Sequence, residues 1–148
     1  MPLPLIPDSA IALQVPAPDW RAAVTAAGQA LARSGAARSG YAGEMIRMIQ
    51  EKGPYVVIAP GLALAHARSG PEVLADGLAV VTLAEPVPFG HPYNDPVRVV
   101  LGLAAASPQR HLPMLAEVAN VFNQTDAVDR LADAADADAV RAVFAATR

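Results

Sequence analysis

The chain has 148 residues, which is the length of one domain and enough to bury a core. Hydrophobic residues make up 53% of it and charged residues 17%, a composition typical of a folded globular protein and not of a disordered one. The net charge of -3 gives no electrostatic reason to bind nucleic acid. Because there is no cysteine, disulfides, thiolate metal sites and thiol nucleophiles are excluded.

The N-terminal residues 1–5 lack the basic segment and long apolar core of a secretory signal. Apolar runs such as residues 99–106 are much shorter than the roughly 20 residues that cross a bilayer. We therefore expect a cytoplasmic protein that forms a single domain over residues 1–148.

The first third of the chain predicts one strand and two helices. Apolar residues alternate with smaller or polar ones over residues 11–15, which indicates a short strand. Asp19 is suited to cap a first helix, and Gly35 stands where that helix should end. Ser39 is suited to cap a second helix, which should end before Gly53.

The middle of the chain predicts strands. Residues 55–59 and 62–66 are two short apolar segments, and residues 78–83 and 97–103 are two more. Residues 85–96 hold four prolines and one glycine, which predicts a long loop.

Helical spacing of apolar residues returns over residues 108–122, 128–131 and 140–144. The resulting order of elements predicts an α/β fold: a three-layer α/β/α sandwich around a mixed sheet of four to five strands.

His66 is the residue with the clearest chemical potential. It ends an apolar strand between Ala65 and Ala67, whose small side chains leave the imidazole accessible, and Arg68 adds a cation two residues on. Imidazole is a competent nucleophile near neutral pH because its ordinary pKa is about 6.5. Phosphoryl transfer needs little more than an aligned acceptor and donors for the equatorial oxygens. A lone histidine at a strand end is nevertheless more often structural.

The other two histidines have different settings. His111 begins a helix, where it either packs against the core or serves as a second imidazole beside the free N–H groups that favour anions. His91 lies in the proline-rich loop and is predicted to be a solvated loop residue, with Asn94 and Asp95 before Pro96 as ordinary turn residues.

Other site types have weak support. A zinc site built from His66, His91, His111 and Asp95 would lack the short ligand spacings that such sites use, so no metal is expected. The chain has no Gly-x-Ser-x-Gly elbow, P-loop or Gly-x-Gly-x-x-Gly motif. From the residues alone, the prediction is an α/β domain with a reactive histidine.

The segment GPYVVIAPGLALAHAR, residues 53–68, resembles the active-site segment of a known family. The family is the enzyme IIA components of the bacterial phosphoenolpyruvate-dependent sugar phosphotransferase system, in the mannitol/fructose superfamily and most like its ascorbate-type branch. Two weaker matches follow in the right order, at residues 89–97 and 102–115.

This resemblance implies a role for each histidine of interest. His66 would accept phosphate from the phosphocarrier protein HPr and pass it to a cysteine of the IIB component, and His111 would be the second active-site histidine. No cofactor is implied, and membrane contact would occur only through the IIB and IIC partners. The absence of cysteine agrees with a chain that performs the IIA step alone.

One residue departs from the family pattern. Mannitol-type relatives carry an arginine late in the second helix, and Met48 falls at that position with Arg47 adjacent. Met48 is expected to pack in the core, so Arg68 becomes the candidate that stabilises the phosphate. Three functions stay open: a transport component, a regulatory IIA paralogue that controls another protein, and a binding domain that keeps the fold without the chemistry.

Overall fold

The computed structural model describes residues 3–145. A 3-10 turn at Asp8–Ala10 precedes the first strand. The elements that follow, in chain order, are β1 (Ile11–Val15), α1 (Trp20–Arg33), α2 (Tyr41–Lys52), β2 (Val57–Ala59), β3 (Leu62–His66), β4 (Gly77–Val87), β5 (Val97–Ala104), α3 (Pro108–Val121), α4 (Ala127–Ala132) and α5 (Ala137–Ala145).

The strands of this described part form one mixed sheet of five strands in the order β1-β4-β5-β3-β2. β1 is parallel to β4, and β3 is parallel to β5, whereas β4 with β5 and β2 with β3 are antiparallel pairs. The register of β3 with β5 runs from Leu62 opposite Val99 to His66 opposite Leu103. The carboxyl ends of β3 and β5 therefore meet at the same edge of the sheet.

Helices cover both faces of the sheet, so the predicted three-layer sandwich is confirmed. α1 packs on β4 and β5 with α2 beside it, and α4 packs on the same strands with α5 beside it. Gly102 allows the close approach of α1, because a Cβ there would lie 3.1 Å from the Leu31 side chain and 3.3 Å from Ala27. Within residues 3–145, no helix is both long and apolar enough to cross a membrane.

Helix boundaries follow the predictions closely. The Asp19 carboxylate accepts a hydrogen bond from the Ala22 N–H, and Gly35 takes a positive φ of 84° just after α1. The prediction of Ser39 as the second cap was wrong. α2 instead begins after Gly40, without a side-chain cap.

Two strand boundaries differ from the predictions. β4 extends to Val87, because Val87 still pairs with Val97 after a register shift that leaves residues 84–86 exposed. The long loop therefore starts at residue 88 instead of 85. β2 starts late, at Val57, since the Tyr55 N–H and the Val57 N–H both bond back into a turn at Gly53 and Pro54.

Candidate functional site

The site lies where β3 and β5 end. His66 is the last residue of β3, and His111 lies near the start of α3, which follows β5 after a short connection. The two imidazole centroids are 5.3 Å apart, and the ring planes are tilted by 52°. Two histidines that are 45 positions apart in sequence thus become neighbours because their strands are parallel and adjacent.

One nitrogen of His66 is fixed by its own strand. Nδ1 lies 2.9 Å from the carbonyl oxygen of Leu64, and a carbonyl can only accept, so Nδ1 carries the proton. Nε2 has no hydrogen-bond partner within residues 3–145, and it is not sealed from solvent. The neutral ring therefore presents an unshared electron pair at Nε2.

Burial lowers the pKa of His66 below its ordinary value, since the charged ring loses solvation. The bond to the Leu64 carbonyl acts in the opposite direction, and the neighbouring His111 lowers the pKa further. The imidazole is consequently neutral at physiological pH, which is the state that a nucleophile requires.

Tyr55 forms one wall of the site. Its ring meets the His66 ring edge-on at 5.5 Å between centroids, and its hydroxyl lies 3.4 Å from the His66 carbonyl oxygen. The residue is 37% exposed, so the wall that it forms is also part of the protein surface.

The start of α3, which carries His111, is held by Asp76. The Asp76 carboxylate accepts hydrogen bonds from the Ala106 N–H at 2.8 Å and from Arg110 Nε at 2.7 Å, whereas Ser107 makes no side-chain cap bond. Burial alone would raise the pKa of Asp76, but these two donors outweigh it and lower that pKa. Sequence reasoning missed Asp76, because its partners lie 30 and 34 positions away and leave no local pattern.

Arg68 lies between two shallow depressions beside the site. One, of about 260 Å³, is lined by Arg68, Ser69, Pro108 and His111. The other, of about 320 Å³, is lined by Ala67, Arg68 and side chains of α2 that include Arg47 and Met48. Arg68 is exposed and has no ion-pair partner within the described chain, so its guanidinium is available to an anion.

Met48 is half-buried and packs against the hydrophobic core, as predicted, while it also lines the larger depression. Besides Arg68, this depression is lined by two cations of α2, Arg47 and Lys52. The phosphate-stabilising role of Arg68 stays a prediction, and the geometry is compatible with it.

His91 lies at the opposite end of the sheet, in the loop before β5. Its Nδ1 accepts hydrogen bonds from the N–H groups of Tyr93 and Asn94, each at 3.1 Å, and the residue is half-buried. The predicted loop position is confirmed, but the ring is half-buried and holds the loop through these two bonds. Among residues 3–145, no three His, Cys, Asp or Glu side chains cluster as metal ligands would.

Comparison with known proteins decides the family. The family described as "Phosphoenolpyruvate-dependent sugar phosphotransferase system, EIIA 2" matches residues 4–146. The chain belongs to this family. The phosphotransferase-system family predicted from residues 53–68 is thereby confirmed, together with its fold.

Curated relatives within the family point to the ascorbate branch. The ascorbate-specific EIIA component of Escherichia coli K12 is 33% identical over 128 residues, which cover 86% of this chain and 83% of the relative. The ascorbate-specific component of Shigella boydii matches with the same identity and coverage.

Solved structures show the same fold. A phosphotransferase IIA protein of Streptococcus mutans superimposes with a TM-score of 0.85 at 31% identity and covers 95% of this chain and 89% of its own. The E. coli mannitol IIA, solved in complex with phosphorylated mannitol IIB, gives a TM-score of 0.83 at 23% identity, covering 96% and 98%. The nitrogen regulatory IIA protein of Neisseria meningitidis gives a TM-score of 0.79 at 25% identity. The superposition covers 94% of this chain and 95% of that protein.

Proposed function

We propose that this chain is a phosphoryl-relay protein of the cytoplasm that accepts phosphate from phospho-HPr on Nε2 of His66. It then passes the phosphate to a cysteine of a IIB component, in a system that takes up ascorbate or a related substrate. The observation that carries the proposal is the bond of Nδ1 to the Leu64 carbonyl, because it leaves Nε2 unprotonated and open to a partner.

The chemistry asks for two displacements at phosphorus. In the first, the Nε2 electron pair attacks the phosphorus of the donor's phosphohistidine, the new N–P bond forms, and the donor nitrogen recovers its electron pair. In the second, a thiolate of IIB attacks the same phosphorus, and the electron pair of the N–P bond returns to Nε2. Nδ1 keeps its proton and its bond to Leu64 through both steps.

The transferred phosphoryl group is negatively charged, so it needs hydrogen-bond donors or cations to stabilise it and no further covalent chemistry. We assign this role to Arg68 and His111, which line the same depression next to His66. Both are polar donors or cations beside an imidazole that is itself neutral, so the local charge favours a phosphoryl group.

The partners are supported by the relatives. The ascorbate-specific components at 33% identity support the substrate class, and the mannitol IIA–IIB complex supports a IIB protein as the acceptor. The similarity to a nitrogen regulatory IIA protein favours the second candidate, a regulatory paralogue that uses the same histidine.

The first test is phosphorylation in vitro. The chain is incubated with phosphoenolpyruvate, enzyme I and HPr, and intact mass is measured before and after exposure to acid and to base. We expect a gain of one phosphate that is lost in acid and kept in base, absent from His66→Ala and present in the matched control His91→Ala. Equal labelling of His66→Ala and the unmodified chain would contradict the proposal.

A second test separates relay from regulation. The phosphorylated chain is mixed with an ascorbate-type IIB component and with its variant that has serine in place of the acceptor cysteine. Transfer to the first protein and not to the second supports the relay. A labelled chain that phosphorylates no IIB component, but binds another protein in only one phosphorylation state, would make the regulatory function the correct one.

A further inference from the structure

Tyr41 is a fully buried residue that lies behind the candidate site. It begins α2, and its side chain is 0% exposed. Its hydroxyl accepts a hydrogen bond from the Ala67 N–H at 3.0 Å and donates to the carbonyl oxygen of Leu103 at 2.8 Å. The Ala67 carbonyl, at 3.2 Å, is the more distant acceptor for the same proton.

The pairing of β3 with β5 shows what this hydroxyl replaces. The Leu64 N–H bonds to Val56 on the β2 side, so even-numbered amides of β3 face β2 and odd-numbered ones face β5. The Gly61 carbonyl accordingly accepts from Val99 of β5. The next N–H of this series beyond the end of β3 is that of Ala67.

The register then fixes the partner that this N–H would have. His66 lies opposite Leu103, so the continuing parallel ladder would join the Ala67 N–H directly to the Leu103 carbonyl. In its place, the Ala67 N–H bonds to the Tyr41 hydroxyl, and the hydroxyl bonds to Leu103. One side-chain oxygen is inserted into the sheet at the first position after His66.

We propose that Tyr41 is a positioning residue for the phosphoryl acceptor, which it sets by holding the ends of β3 and β5 apart. The proposal deepens the function given above and rests on it for the transfer step alone. His66 is fixed on one side by the bond of its ring to Leu64 and on the other by the bond of the next amide to Tyr41.

The hydroxyl can serve in this way over the whole working pH range. Burial raises the pKa of Tyr41 to about 12, so the group stays protonated and can donate and accept at the same time. Without it, the Ala67 amide either loses its partner or moves to bond Leu103 directly. Either change displaces the end of β3, and with it His66 relative to His111.

The test compares two variants that each lose one buried hydroxyl. Tyr41→Phe removes the inserted oxygen and keeps the ring. The control Thr82→Val removes a hydroxyl that is also 0% exposed and also accepts from a backbone amide, that of Gln14. Thr82 lies opposite Val99, which pairs with Leu62, so it is near the start of β3 and far from His66.

Four quantities are measured for each variant: urea unfolding, the rate of labelling by phospho-HPr, the His66 titration midpoint by NMR, and the exchange rate of the Ala67 amide. We expect Tyr41→Phe to label about 10- to 100-fold more slowly and to change both the His66 midpoint and Ala67 exchange. Thr82→Val should lose stability with the other three quantities unchanged.

A Tyr41→Phe variant that loses stability like Thr82→Val, but labels and titrates like the unmodified chain, would overturn the proposal. If Tyr41→Phe does not fold, 3-fluorotyrosine at position 41 keeps the hydroxyl and strengthens its donation. That substitution should retain labelling while it changes Ala67 amide exchange, and unchanged exchange would equally overturn the proposal. If the unmodified chain does not accept phosphate at all, the proposed function fails, whereas the NMR measurements still decide the role of Tyr41.

Discussion

The two ends of the β3–β5 pair use histidine in opposite ways. At the carboxyl end, His66 has one nitrogen bonded to its own strand and one without a partner in the described chain, beside His111 and Arg68. At the other end, His91 Nδ1 accepts two backbone N–H groups. Nearby, the Asp95 carboxylate accepts from three more, those of Phe89, Gly90 and His91.

The difference separates a histidine that holds a loop from one that leaves a ring nitrogen without a partner in the described chain. A ring nitrogen that accepts from two amides is occupied in holding a loop, and its electron pair is not available for attack on phosphorus. A ring fixed at one nitrogen and open at the other has a defined orientation and a free electron pair. Substitutions at the His91 end should therefore lower the free energy of unfolding, and substitutions at the His66 end should slow phosphoryl transfer.

The largest effect on stability is expected at the loop end. Asp95→Ala removes the acceptor of three amides, and we expect a loss of about 2 to 4 kcal/mol in the free energy of unfolding. The matched control is Asp129→Ala, whose carboxylate is 66% exposed and pairs with Arg98 at 2.8 Å. Asp129→Ala should lower the free energy of unfolding by less than about 1 kcal/mol.

Urea unfolding measures both variants, and labelling by phospho-HPr is measured where each is folded. Two results would contradict the comparison of the two ends. One is a free energy of unfolding for Asp95→Ala equal to that of the unmodified chain, and the other is a folded Asp95→Ala variant that is not labelled.

An intermediate effect, on the labelling rate, is expected from a comparison of two arginines. Arg68→Met should slow labelling about tenfold, because it removes the cation that we propose to stabilise the phosphoryl group while it keeps the side chain's bulk. Arg98→Met removes a cation of the loop end that is already paired with Asp129, so the labelling rate should not change. Rapid quench-flow kinetics with phospho-HPr gives both labelling rates. Equal labelling rates for the two variants would mean that groups other than Arg68 stabilise the phosphoryl group.

The smallest effect is on pH dependence. Burial lowers the pKa of His66, so labelling should stay constant from about pH 8 to below about pH 6.5, where a free imidazole would already lose its electron pair. Between about pH 6.5 and the lowered pKa, the unfolded chain carries more protons on His66 than the folded chain does. Stability should therefore fall as the pH drops from about 6.5 toward the lowered pKa.

His66→Gln removes this contribution, so the difference in unfolding free energy between it and the unmodified chain should change with pH in that window. Urea unfolding at several pH values measures it. A labelling rate that begins to fall near pH 6.5, together with a pH-independent difference, would mean that burial does not lower this pKa.

The sequence predicted what depends on local pattern. The cap at Asp19, the turn at Gly35 and the strand ending at His66 each carry their signal in a few neighbouring residues. The segment of residues 53–68 also carried the family, which the comparison confirmed.

Contacts between distant segments were not predictable in the same way. The bond of Tyr41 to Leu103 spans 62 positions, and that of Arg110 to Asp76 spans 34. Tyr41 has the helical spacing of an ordinary core residue, so nothing in the sequence indicates that its hydroxyl enters the sheet. The two bonds that the His91 ring accepts were not predictable for a related reason, since ring nitrogens that accept from backbone amides have no characteristic sequence pattern.

The central claim is that His66 carries the phosphate on Nε2 while Nδ1 stays bonded to Leu64. NMR of the phosphorylated chain, with nitrogen-15 in its histidines, observes both ring nitrogens and their coupling to phosphorus directly. The account predicts a phosphorus coupling at Nε2 of His66, a protonated Nδ1, and unphosphorylated His91 and His111 rings. A phosphate on Nδ1 of His66, or on either of the other two histidines, would contradict it.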